Sequence, residues 1–253
     1  MPIQRVLDGQ VLCDPEYMLE QFNFIVPNQT CQFFYDFHEA AIVEADSPFI
    51  FNSGSDDLAI DPAINAQKGG VLRVTAGDGD GTAAVDGSQV VLALPFKAEY
   101  GGLVAECRLK ITDVSECSVF VGFTDVTSLE EPASVSGTTV TTNASDAVGF
   151  VYDTAMTTDE WWAVGVAGDT DATGNGTLSV APADATYQTL RVEVGSDGES
   201  ASFYVDDVLV GSLTANVVTP STAVYFTVFA NGNGSNAAAA TVDVDYIWVQ
   251  HSR

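Results

Sequence analysis

Residues 186–213, TYQTLRVEVGSDGESASFYVDDVLVGSL, alternate apolar and polar side chains with a period of two. That period leaves little room for anything but an antiparallel β-sheet with one dry and one wet face. Leu190, Val192 and Val194 share one side, opposite Thr189, Arg191 and Glu193, and Phe203 and Val205 then alternate with Ser202 and Tyr204. Two polar turns, Gly195-Ser196-Asp197-Gly198 and Asp206-Asp207, cut the stretch into three strands of a meander.

The rest of the chain carries the same signal. Strands are expected at 71–76, 88–96, 103–112, 117–124, 147–153, 160–167, 223–230 and 241–249, separated by Gly-, Asp- and Asn-rich turns. In 103–112 the outward set Val104, Glu106, Arg108 and Lys110 makes a basic stripe. In 241–249 the alternation puts Val242, Val244, Tyr246 and Trp248 on one side and Asp243 and Asp245 on the other. Residues 125–145, rich in Thr, Ser and Val, read as a surface loop. No long stretch has apolar residues at helical spacing. With 46% hydrophobic residues in 253, one all-β jelly-roll sandwich of two antiparallel sheets is the economical fold, spanning 31–253.

Residues 1–30 read differently. Asp14-Pro15-Glu16 followed by Tyr17, Met18, Leu19 and Phe22 is the pattern of one short capped helix, and Phe24 and Ile25 extend its apolar character to Pro27. These six apolar residues are candidates for an assembly arm, or for a lid on the domain's own core.

Charge limits the partners. Eight Lys and Arg face 35 Asp and Glu, a formal net charge of −27, and from 111 to 250 the one basic side chain is Arg191. Such a surface repels nucleic acid and anionic lipid. No run of about 20 apolar residues suggests membrane insertion, and no secretory signal is legible at the start. The four cysteines, Cys13, Cys31, Cys107 and Cys117, lack zinc-ligand spacing. Cys107 and Cys117 flank a hairpin and could face each other, whereas buried free thiols are the expectation for a cytosolic product.

The order of VFVGFTD, AVGFVYD, WWAVGV, TYQTLRVEV, ASFYVDDVLVGSL and VDVDYIWVQ resembles concanavalin A-like lectin/glucanase jelly rolls, and more narrowly those of tailed-bacteriophage virion proteins. The likeness covers about 32–250. It implies a structural protein of a phage particle: a capsid decoration or cement protein on the virion surface, bound to the major capsid protein through its arm and loops, and a homo-oligomer with a trimer as the guess. The alternatives it implies are a carbohydrate-binding module for host-surface glycans or, further off, a glycosidase or polysaccharide lyase.

Candidate chemistry is sparse. Glucanases of this fold carry E-x-D-x-x-E on one strand face. The nearest run here, Glu44-Ala45-Asp46, ends at Pro48, and the adjacent pairs Glu130-Glu131 and Asp159-Glu160 would point to opposite faces of a strand. His38 and His251 are the only histidines. No catalysis and no cofactor are expected. Asp78, Asp80, Asp169 and Asp171 lie in Gly-Asp loops able to offer oxygen ligands to calcium, although such residues are also ordinary turn formers. Trp161 and Trp162 are the candidate glycan platform, since one of two consecutive strand residues must face outward.

Overall fold

The computed structural model describes residues 5–7, 10–12, 30–37, 47–53, 70–76, 87–115, 117–232 and 240–252. It bears out the all-β, two-sheet class. One sheet is built from β13 (Thr170–Asp171), β12 (Trp162–Ala167), β11 (Ala147–Asp153), β8 (Cys117–Thr124), β18 (Tyr225–Gly232), β6 (Gly87–Leu92) and β4 (Phe49–Ser53) in that order, with β14 (Gly176–Thr177) also on β12. The other runs β17 (Val208–Thr214), β16 (Ser200–Val205), β15 (Tyr187–Val194), β7 (Leu103–Ile111), β19 (Thr241–Ser252) and β3 (Thr30–Tyr35), with β5 (Leu72–Thr75) also on β19. These are called the eight-stranded and seven-stranded sheets below. A separate hairpin pairs β1 (Arg5–Leu7) with β2 (Gln10–Leu12). The arm candidates Tyr17, Met18, Leu19, Phe22, Phe24 and Ile25 lie outside the described residues, as do Asp78, Asp80, His38 and Glu44.

The meander is β15, β16 and β17. Its inward Leu190, Val192, Val194, Phe203 and Val205 are buried against the inward residues of β8, β11 and β18. Each such aliphatic or aromatic side chain removed from water contributes roughly 1.5–3 kcal/mol, so the interface between the sheets dominates the favourable side of folding. Asp206 and Asp207 both adopt positive φ, 49° and 64°, at the tip joining β16 to β17. This is the backbone a two-residue hairpin requires.

Two regions depart from expectation. Residues 125–145 contain a hairpin, β9 (Ala133–Ser136) and β10 (Thr139–Thr142), instead of an unstructured loop. Ala133 and Val135 drive it: with Phe120, Val151, Met156, Trp162, Val164 and Phe229 they form a second apolar cluster on the outer face of the eight-stranded sheet. That sheet is therefore covered on both sides, and β8 and β11 are buried throughout. In β19 the register shifts between Val244 and Tyr246. The extra residue sends Tyr246 and Trp248 outward and leaves Val242, Val244, Ile247 and Val249 in the core. Nor is Asp243 a wet outer acid: it is 2% exposed, and ion pairs to Arg73 at 2.7 Å and Lys110 at 3.0 Å hold it.

Candidate functional site

Where the apolar cluster ends, the outer face of the eight-stranded sheet turns polar. Asp153 on β11 stands opposite Ser118 on β8, which in turn stands opposite Asn231 on β18. Two residues along the strands, in the row of Phe120 and Phe229, Gln89 on β6 stands opposite Asn52 on β4. The alternation that sends Val119, Val121 and Phe123 inward sends Ser118 outward, and the same argument places Asp153 and Asn231.

Above this line, the chain approaching β9 brings Glu131 down onto Ser118, whose hydroxyl donates to the Glu131 carboxyl. Burial pushes that carboxyl up to about 7; the Ser118 hydrogen bond opposes the rise, and the nearby Asp153 carboxylate adds to it. Asp153 accepts backbone N–H bonds from Ala155 at 2.8 Å and Val135 at 3.3 Å, so the hairpin roof and the β11 turn fix its orientation. Asn52 donates to Gln89 Oε1 at 3.2 Å and to the Thr127 carbonyl at 2.9 Å. Asn231 Oδ1 and Gln89 Nε2 are buried without hydrogen-bond partners, one an acceptor and one a donor. Orphaned groups of this kind cost free energy unless a ligand or water completes them.

In the sequence Glu130-Glu131 reads as an adjacent strand pair whose side chains diverge. Glu131 is not on a strand at all, and its useful neighbours, Ser118 and Asp153, are distant in sequence. An acid among apolar residues just before a hairpin was the signal available.

The residues singled out from sequence fall elsewhere. Trp161 is 0% exposed: it packs on Phe150 and Tyr152, and its ring nitrogen donates to Gln188 at 3.0 Å. Trp162 is 6% exposed beneath the hairpin. The glycan platform on these two rings is thereby corrected, because Trp161 precedes the strand and turns inward while the roof covers the outward Trp162. Asp169 accepts the Ser145 hydroxyl at 2.7 Å and Asp171 the Thr142 hydroxyl at 3.1 Å. Burial raises the Asp125 carboxyl, and repulsion from Asp146 and Asp169 adds to that. Among the described residues no group of three or more ligating side chains is placed to hold a metal ion. Cys107 and Cys117 are free and buried, and burial pushes both thiols up, Cys117 to about 12.

No protein-family model matches the sequence, and no curated protein is similar to it. Solved structures share the fold. A native glycosidic hydrolase superposes with a TM-score of 0.56 at 16% identity, covering 86% of this chain and 94% of its own. The endo-β-1,3-glucanase of Pyrococcus furiosus gives 0.57 at 12% identity, over 87% and 94%. Peanut lectin gives 0.56 at 12%, over 88% and 97%. The fold is thus the concanavalin A-like jelly roll, as the resemblance implied, and identities this low speak for the fold alone. None of these structures is a virion protein.

They also correct the expectation of a chain without catalysis. Beside the hydrolase and the glucanase, a prokaryotic β-1,3-1,4-glucanase and a κ-carrageenase superpose on the same sandwich. The fold itself thus gives no ground for expecting a chain without catalysis.

Proposed function

We propose that this chain is a carbohydrate-active protein that acts on a glycosidic bond at the polar end of the eight-stranded sheet. The observation that carries the reading is Glu131, held up to about 7 beside a second carboxyl, Asp153. Glycoside hydrolysis asks for two carboxyl groups in different environments, one keeping its proton near neutrality to give to the leaving oxygen. Glu131 fits the proton donor, and Asp153, oriented by two backbone N–H groups, fits the partner carboxylate. Asn231 Oδ1 and Gln89 Nε2 are suited to a sugar hydroxyl, which both donates and accepts. The test is reducing-end release by the full chain from β-1,3-glucan, β-1,3-1,4-glucan, κ-carrageenan and mucin O-glycans. Release from one of them, reduced at least about 100-fold in Glu131→Gln, supports the reading. No release from any, or release unchanged in the variant, refutes it.

For the setting, we infer from the sequence resemblance and the acidic surface a place on the outside of a phage particle. There the arm 1–30 contacts capsid protein, the chain is a homo-oligomer, and host-surface glycans are the natural ligand. Mass spectrometry of purified particles tests the location, and deletion of 1–30 tests the arm.

A further inference from the structure

The outer face of the seven-stranded sheet is organised in rows that run across the strands. One row is Gln32, Gln250, Val104, Glu193, Ser202 and Ser212, each opposite the next on β3, β19, β7, β15, β16 and β17. The adjoining row is Phe34, Trp248, Glu106, Arg191, Tyr204 and Leu209 on the same six strands. Over six strands, about 24 Å at ~4.8 Å per strand, a row of amides, a carboxylate and hydroxyls thus lies beside one that carries three aromatic rings, on β3, β19 and β16.

A cavity of about 320 Å³ opens on the first row, with Val104, Glu193, Ser202 and Gln250 in its wall and the glycine turns at Gly101, Gly102 and Gly195 around it. Gln250 is oriented there, because Gln32 donates to its Oε1 at 2.9 Å. His251 also lines the cavity and packs against Tyr100, a residue 48% exposed that precedes the lining Gly101.

The electrostatics narrow the ligand. Among the described residues four basic side chains lie on this face, and each is matched by acids of the same face. Arg73 and Lys110 are paired to Asp243, and Arg108 to Asp245. Arg191 lies between Glu106 at 3.7 Å and Glu193 at 3.2 Å, the latter without hydrogen-bond alignment. Tyr246 donates to Glu106 at 2.6 Å. A sulfated or phosphorylated chain would have to displace these carboxylates, whereas an uncharged chain of hydroxyls and C–H faces would not.

We propose that this face is a second binding surface, for an uncharged oligosaccharide lying across the strands between the two rows. It is a site distinct from Glu131, on the opposite sheet, and it does not depend on hydrolysis there.

Trp248 is partly exposed on this face, whereas Trp161 and Trp162 are buried, so its fluorescence reports on the site. Laminarihexaose, cellohexaose and xylohexaose are titrated against the full chain, with a sulfated κ-carrageenan hexasaccharide as the anionic comparator. The expected result is saturable quenching by at least one neutral hexaose. Its affinity, read by calorimetry in every variant because Trp248→Ala removes the reporter, falls at least 10-fold in Trp248→Ala and in Gln250→Ala, is unchanged in Glu131→Gln, and exceeds that for the sulfated probe. Gln250→Ala keeps the test usable should Trp248→Ala fail to fold. The proposal is overturned if only the sulfated probe binds, if no probe binds, if binding survives both substitutions, or if Glu131→Gln abolishes it. Sedimentation showing dimers that Trp248→Ala dissolves would assign the face to a second copy of the chain and also overturn it.

Discussion

The hydroxyl of Ser118, on the central strand β8, donates a hydrogen bond to the carboxyl of Glu131 in the loop above it, and that carboxyl is held up to about 7 by burial. Its ordinary value is 4.5, so the folded state favours the protonated acid. This contribution to stability is fully present below pH 4.5 and is lost as pH rises from there through about 7. The interval corresponds to roughly 3 kcal/mol at most. Thermal melts of the native chain and Glu131→Gln should therefore diverge with pH. The variant is expected to melt like the native chain near pH 4 and higher at pH 8, since glutamine keeps an uncharged partner for Ser118. Equal melting temperatures at pH 8 would show that the carboxyl is not held up.

Asp243 behaves in the opposite sense. Burial pushes its carboxyl up, but the hydrogen bonds and charges of Arg73 and Lys110 outweigh burial and hold it below its usual 3.8. Its stabilising contribution is present above that value and is lost as pH falls beneath it. Asp243→Asn should cost about 3 kcal/mol at pH 7, the scale for removing one member of a buried ion pair. In denaturant melts the deficit should shrink below pH 3, where the native carboxyl is also neutral. A deficit that does not vary with pH would assign the loss to shape instead of charge.

Gly122 and Gly149 stand opposite one another on β8 and β11. A Cβ on Gly122 would lie 2.3 Å from the Val148 carbonyl oxygen and 2.5 Å from the Gly149 Cα. One on Gly149 would meet the Val121 carbonyl oxygen at 2.5 Å and the Phe120 ring at 3.0 Å. Both obstacles are largely backbone, which cannot turn aside as a side chain can. Gly122→Ala should cost at least about 3 kcal/mol, the upper end for forcing atoms into a packed interior. Chemical denaturation measures it, and a loss under about 1 kcal/mol would mean that the strands separate easily.

The meander was legible because every physical level agreed in it: period-two alternation, turn residues and one dry face. The basic stripe of β7 was legible for the same reason. The hairpin over 133–142 was missed because its apolar members are only Ala133, Val135 and Val140 among Ser and Thr; their importance comes from the sheet face they cover, which local pattern does not show. Glu131 was missed because its partners come from β8 and β11. Simple alternation groups Trp248 with Val242 and Val244 because it has no place for an extra residue at Asp245, and a slip of one residue exchanges faces.

That extra residue also sets where β19 can tolerate change. Before the bulge the core takes even positions, Val242 and Val244; after it, odd ones, Ile247 and Val249. In a saturation-mutagenesis map, the positions that refuse polar residues should switch parity midway along this strand. Deleting Asp245 would remove the bulge and bring the two halves into phase, with Val242, Val244, Ile247 and Val249 still facing the sandwich and Tyr246 and Trp248 still outside it.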